Sequence, residues 1–322
     1  MSVLIYAESA EGKFKKVALE LASYAKKVAE SLGTTVTAVT VNASDVSELG
    51  KYGVDKVLKV TNDKLATFNA KAYADVIKQA AQKEGSKVVV LSSTTDSLYA
   101  APIVAVALNA GFATNVVALP ENTSPFVVKR NSFSTKAFSH TELTTDVKVI
   151  ALAKNSFGLV EAAGAAAAED FAPSLNDADF SLKVEGVEKV SGKVTIADAD
   201  VVVSGGRGLK GPENWKMIED LAEVLGGALA CSKPVSDLGW RSHEEHVGQT
   251  GKPVAANLYI AVGISGAIQH IAGVNSSKVK VAINTDAEAP FFKVADYGIV
   301  GDAFQVVPQL VEKLKEFKAK NA

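Results

Sequence analysis

Leu258-Tyr259-Ile260-Ala261-Val262-Gly263-Ile264-Ser265-Gly266-Ala267-Ile268-Gln269-His270 is the stretch on which the fold turns. Five apolar residues in a row predict a strand buried on both faces. The glycines of the next turn stop it, and a helix is predicted to carry the chain through His270. A strand that passes through a glycine turn into a helix is the repeating unit of a parallel sheet covered by helices.

The same unit recurs on either side. Upstream, Val201-Val202-Val203-Ser204 runs into Gly205-Gly206-Arg207-Gly208. Pro212 stands where a first helical position is expected. Ile218, Leu221, Ala222 and Leu225 share one helical face, closed by Gly226-Gly227. Downstream, Val279 to Ile283 and Tyr297 to Val300 read as strands, and Val307, Leu310, Val311 and Leu314 mark a last helix. This second pattern begins near Val194. In the first half, strands at 3–7, 36–41, 57–60 and 88–91 alternate with helices at 14–32, 69–83 and 98–109. Gly33 and Gly85 supply helix stops. The segment from Phe126 to Phe157 is richer in β signals. Between the halves, Ala162 to Asp170 reads AAGAAAAED, and the chain stays acidic and aperiodic to about Val190.

The expected architecture is therefore α/β in two domains, each a mostly parallel sheet flanked by helices. Residues 1–188 form the first domain, ending in a linker-like stretch over 159–188, and residues 189–322 form the second. A length of 322 residues suits two domains. A hydrophobic fraction of 48% supplies real cores, and a formal net charge of −2 argues against a nucleic-acid binder. The densest basic run, Lys313, Lys315, Lys318 and Lys320, reads as the solvated face of a helix. The single cysteine, Cys231, excludes an intrachain disulfide and is expected to be a buried structural thiol in a reducing compartment. The apolar stretch from Tyr99 to Ala113 is broken by Pro102 and Asn109 and is too short to cross a bilayer. A cytoplasmic, bacterial protein without membrane insertion is expected.

Three glycine-containing turns lie in the second half: SGGRG at 204–208, GQTG at 248–251 and GISG at 263–266. Glycine lets a backbone approach a ligand closely, and a helix start offers free amides to a phosphate. Three such turns within about 70 residues, beyond strands of an open parallel sheet, point to a large nucleotide cofactor. None is a GxGxxG or a phosphate loop. Ser265 lacks the spacing of a nucleophile elbow, because Gly266 follows it directly. His243-Glu244-Glu245-His246 is not a zinc helix, and no metal site is expected. No catalytic constellation emerges.

The 258–270 stretch, followed by Gly273 and Val281-Ala282-Ile283-Asn284, resembles the signature of electron transfer flavoprotein α subunits. So do Ser204 to Gly208, Val247-Gly248-Gln249-Thr250-Gly251-Lys252 and Val294-Ala295-Asp296-Tyr297-Gly298-Ile299-Val300. The resemblance implies a Rossmann-like second domain carrying FAD. It implies that Arg207, Ser265, Gln269, Asn284 and Asp302 hold the ribityl, diphosphate and adenosine portions. Ser232, Lys233, Gln249, Thr250 and His270 would surround the isoalloxazine ring, with Thr250 at N5 and His270 at the N1–C2=O edge. Two positions depart from the family pattern: Lys233 stands where arginine is common, and His246 where glutamine is common. The resemblance further implies an electron carrier rather than an enzyme, built as a heterodimer whose β subunit docks on the first domain and holds AMP or a second FAD. Electrons would come from flavin dehydrogenases such as the acyl-CoA dehydrogenases of fatty acid oxidation and leave to a membrane quinone oxidoreductase. The alternative is a subunit of an NADH-dependent electron-bifurcating flavoprotein.

Overall fold

The computed structural model describes residues 2–187, 195–197 and 199–321. The chain divides into two compact units, Met1–Val187 and Glu188–Ala322. The expected start of the second pattern near Val194 lies outside the described residues.

The first unit contains β1 (Ser2–Tyr6), β2 (Ser9–Ala10), β3 (Lys13–Phe14), α1 (Lys16–Leu32), β4 (Thr35–Val41) and β5 (Lys56–Val60). These are followed by α2 (Ala70–Glu84), β6 (Val88–Ser92), α3 (Thr95–Ala107), β7 (Gly111–Val116), β8 (Asn122–Thr123), β9 (Phe126–Ser132), β10 (Ala137–Leu143), β11 (Lys148–Leu152) and β12 (Ala167–Asp170). One sheet runs in the order β10-β9-β7-β11-β6-β1-β4-β5-β12, and β8 pairs with β9. From β7 to β12 the neighbours are parallel, whereas the β8–β9–β10 end is antiparallel. Successive side chains of a strand point to opposite faces. Accordingly Val3 and Ile5 of β1 join the core with α1, while Leu4 and Tyr6 join the core with α2 and α3. Helix α1 stops where Gly33 adopts φ 64°, and α2 begins where the Asn69 side chain accepts from the amides of Lys71 and Ala72.

The buried Glu8, just past β1, illustrates how the sheet's carboxyl edge is organised. Its carboxylate accepts from the hydroxyls of Ser92, Thr94 and Ser97 and pairs with Lys15 at 3.0 Å. Burial pushes its pKa up, but Lys15 and the three hydroxyls outweigh burial and hold it below the usual value.

The structure corrects the linker expected over 159–188 as far as residue 182; residue 188 lies outside the described residues. Glu20 of α1 accepts from the amides of Asn155, Phe157 and Gly158, and Ser23 Oγ accepts from that of Val160. Residues 167–170 then form β12, the outermost strand, in parallel register with β5. Glu169 bridges Lys56 and Lys83. Gln79 exchanges two hydrogen bonds with the backbone of Ser174, and Asn69 donates to the carbonyl of Leu182. The small residues read as linker composition serve close packing instead. A methyl group on Gly50 would lie 2.5 Å from the amide nitrogen of Ala166.

The second unit contains β13 (Val201–Gly205), α4 (Lys216–Leu225), β14 (Ala228–Cys231), α5 (Lys233–Asp237), β15 (Leu258–Val262), α6 (Ile268–Val274), β16 (Val279–Asn284), β17 (Tyr297–Val300) and α7 (Ala303–Asn321). The five strands are parallel, in the order β14-β13-β15-β16-β17. Val202, Tyr259 and Ala261 face the core that includes Val274 of α6. Val203, Ile260 and Val262 face the core with α4 and α7. Pro212 does not start α4. It opens a short 3-10 turn, Pro212–Asn214, which delivers Trp215 to the core before the helix begins at Lys216.

Candidate functional site

Because all five strands of the second unit are parallel, their carboxyl ends share one edge. The chain passes from β13 outward to β14 and returns on the other side of β13 as β15. The crevice of an open α/β sheet lies at such a reversal, between the carboxyl ends of β13 and β15. Two glycine turns meet there. The Gly206 amide donates to the carbonyl of Val262 at 2.8 Å, and the Gly208 amide to that of Gly263 at 3.1 Å. A methyl group on Gly206 would stand 2.1 Å from the Gly263 oxygen. The next glycine, Gly266, has φ 86°, and a methyl group there would lie 2.5 Å from the Phe291 nitrogen. These glycines bring backbone against backbone at the edge.

The edge gathers most of the residues singled out in the sequence. Arg207 and Ser265 follow β13 and β15 and are exposed; Gln269, on the first turn of α6, is exposed too. Ser232 stands at the residue before α5, beyond β14, makes no side-chain capping bond and is buried. Lys233 is exposed and paired with Asp237 at 2.8 Å, a solvated pair worth little to stability. Gln249 and Thr250 project from an exposed turn whose Gln249 amide donates to the Gln269 carbonyl. Asn284, at the end of β16, donates to the Ile264 carbonyl at 3.1 Å and accepts from the Asp286 amide. Asp302 accepts from the Phe304 amide at the start of α7. Asn284 and Asp302 therefore carry structural duties as well as any toward a ligand. Among the described residues, no three His, Cys, Asp or Glu side chains gather as a metal would require.

His270 is 6% exposed and lies in a polar chain that sequence reading did not show. Its Nε2 is 2.8 Å from the Tyr259 hydroxyl, and its Nδ1 is buried with no hydrogen-bond partner. Burial, then nearby His246, lowers its pKa to about 4; the Val247 backbone offsets part of this, short of a formed hydrogen bond. Burial holds the Tyr259 hydroxyl protonated, with Ser204 opposing weakly. The consistent arrangement is a neutral imidazole that accepts from Tyr259 at Nε2 and keeps its proton on Nδ1, which completes no hydrogen bond within the protein. Cys231 is fully buried, and burial pushes its thiol up to about 12.

A histidine whose folded pKa is depressed binds fewer protons than the unfolded chain between the two values, so stability is lost as pH falls. Unfolding midpoints should hold above about pH 6.5 and decline toward pH 4, by roughly 3 kcal/mol for His270 at about 1.4 kcal/mol per pKa unit. Urea titrations of wild type and His270→Gln at pH 7.5 and 4.5 check this. An equal decline in the variant would assign the effect to other groups.

The electron transfer flavoprotein domain matches residues 3–176, and the electron transfer flavoprotein FAD-binding domain matches residues 195–275. The electron transfer flavoprotein subunit alpha of Syntrophomonas wolfei is 39% identical over 313 residues, covering 97% of this chain and 98% of the relative. Those of Bacillus subtilis and Pseudomonas aeruginosa are 35% and 36% identical, covering 98% and 96% of this chain and 97% and 99% of the relatives. With both units matched and the relatives aligned along nearly their whole length, the chain belongs to the electron transfer flavoprotein α-subunit family.

Proposed function

We propose that the chain holds one FAD along the carboxyl edge of the second unit's sheet and serves as the FAD-carrying subunit of a heterodimeric electron carrier. The observation that carries this reading is the backbone-to-backbone meeting of the Gly206–Gly208 and Gly263–Gly266 turns at the sheet's reversal point. Exposed Arg207 and Ser265 flank it. The donor set fits the cofactor: a guanidinium and a hydroxyl suit a diphosphate, and Asn284, Asp302 and Gln269 suit ribityl and adenosine hydroxyls and ring nitrogens. Ser232, Lys233, Gln249, Thr250 and His270 would border the isoalloxazine ring.

FAD supplies the one- and two-electron chemistry when bound. The chain's own residues orient and stabilise it. His270 offers the proton on Nδ1 to a negatively charged acceptor while Tyr259 fixes the ring at Nε2. This is a neutral donor, and the cation proposed beside the ring, Lys233, is itself paired with Asp237. Such fixed donors favour the state in which charge sits at the cofactor edge.

Within this reading, residues 1–188 dock a β subunit that holds AMP or a second FAD, and residues 189–322 carry the flavin. Flavin dehydrogenases such as acyl-CoA dehydrogenases donate the electrons, and a membrane quinone oxidoreductase receives them. Among the described residues no helix is long and apolar enough to cross a membrane. Purification with the partner subunit, followed by acid extraction and chromatography, tests the central claim. One FAD assignable to this chain is expected, and a complex with no flavin, or with NAD instead, would sink it. Rapid bleaching by NADH alone would move the chain to the electron-bifurcating class.

A further inference from the structure

The Gly248–Gly251 turn closes around a histidine of its own stem. His246 is 2% exposed and lies beside the end of β14, where the Val247 amide donates to the Cys231 carbonyl at 3.0 Å. The His246 carbonyl accepts from the Lys252 amide at 2.8 Å, so the turn leaves and returns at this residue. The imidazole fills the space between. A methyl group on Gly251 would stand 2.9 Å from its Nδ1, and one on Gly248 3.4 Å from its Nε2. The two glycines that bound the turn are thus the walls against which the ring packs. Nδ1 is buried and has no hydrogen-bond partner. The turn in turn leans on α6: the Gln249 amide donates to the Gln269 carbonyl, and a methyl group on Gly273 would lie 2.6 Å from the Gly248 Cα.

An imidazole enclosed by backbone in this way is held in its neutral form. Protonation adds a charge and puts a donor on the buried Nδ1, which has no hydrogen-bond partner. The titratable groups around it are His243 in the preceding 3-10 turn, with ring centroids 5.3 Å apart, Lys233 and Asp237 on α5, and His270 on α6. Burial lowers the His246 pKa most, His243 and Lys233 lower it further, and Asp237 opposes them.

We propose that His246 is the positioning residue of the 248–251 turn: the neutral ring, clasped between Gly248 and Gly251, sets the conformation that presents Gln249 and Thr250, and uptake of one proton from solvent expels the ring and releases the turn. The proton enters the imidazole and no bond other than N–H forms. This deepens the flavin reading and rests on it only where the cofactor is concerned, since Gln249 and Thr250 are the residues placed against the isoalloxazine ring. Acidification then alters the cofactor's surroundings through the turn, without titration of the cofactor.

The test uses the full chain purified with its partner subunit, taken from pH 8 to pH 5. Backbone amides of Gln249 and Thr250 are followed by NMR together with the His246 imidazole, and the visible circular dichroism of bound flavin is recorded alongside. The expected result is one reversible transition below pH 6.5 shared by the imidazole, both amides and the flavin signal. His246→Gln, neutral at every pH and close in volume, should keep the high-pH amide positions and the flavin content but lose the transition. His270→Gln should keep it. Amides that stay in place through the His246 titration, or down to the pH at which the fold is lost, overturn the proposal. So does the same transition in His246→Gln. A complex without FAD would instead defeat the flavin reading, and the amide titration would still decide the role of His246.

Discussion

Gly206→Ala is expected to destabilise the second unit by about 3 kcal/mol or more, at the upper end of the cost of overpacking, and to abolish flavin retention. The backbone itself tolerates the change, because Gly206 has φ −112°, open to any residue. The cost comes from contact. The new methyl group would stand 2.1 Å from the Gly263 oxygen and 2.6 Å from its carbonyl carbon. That carbonyl cannot retreat cheaply, since it accepts from the Gly208 amide while the Gly206 amide is tied to Val262. Relief requires parting the carboxyl ends of β13 and β15, which is where the cofactor is proposed to lie. Gly226→Ala is the control. Gly226 has φ 66° with nothing within 4 Å of an added methyl group, so it should cost only the left-handed strain of about 1–2 kcal/mol. Denaturant midpoints and flavin absorbance of the two variants check the contrast. Equal losses would mean that the two turns are not in contact.

Glu20→Ala should cost a comparable amount in the first unit, roughly 3 kcal/mol, as part of the desolvation penalty of three amides left without an acceptor. One carboxylate oxygen accepts from Phe157 and Gly158 at 2.9 Å each, the other from Asn155 at 2.8 Å. Bonds to a charged acceptor are stronger than neutral ones. Glu20→Gln keeps one acceptor oxygen and should lose less. Hydrogen exchange locates the effect: the amides of 155, 157, 158 and 160 should lose protection first, before the centre of the sheet. Uniform loss across the unit would contradict the anchoring role. The prediction matters because Glu20 begins the series of attachments that ends in β12.

The sequence disclosed elements whose signals are local. The run 258–262 appears as β15 without a shift at either end, because an uninterrupted apolar stretch bounded by Gly263 has no competing reading. Helix α1 ends at Gly33, as a residue free to adopt positive φ should end it. The glycine turns gather on one edge of the sheet because parallel strands place all their following turns on one side. What stayed hidden depends on contacts between distant residues. Glu20 and Phe157 are 137 positions apart, and nothing near either indicates the bond. The alanines of 162–168 read as linker because small residues lack a periodic face, yet smallness is what lets this backbone pack on Gly50. At the site, Tyr259 was legible as a strand residue, but not as the partner of His270 across eleven positions. His246 stood out as a departure from the family pattern and as half of a dismissed metal motif, but not as an enclosed ring, since that enclosure is made by the turn's own backbone.

The fully buried Cys231 carries a consequence for anyone who wishes to watch this molecule at work. It is the single cysteine of the chain, and its thiol is pushed up to about 12 by burial. Alkylating and fluorescent maleimide reagents attack thiolates that they can reach, so the native chain presents almost no background to them. A cysteine engineered at any exposed position would be the sole handle for a dye or spin label, and the wild-type sulfur could stay in the core that it helps to fill.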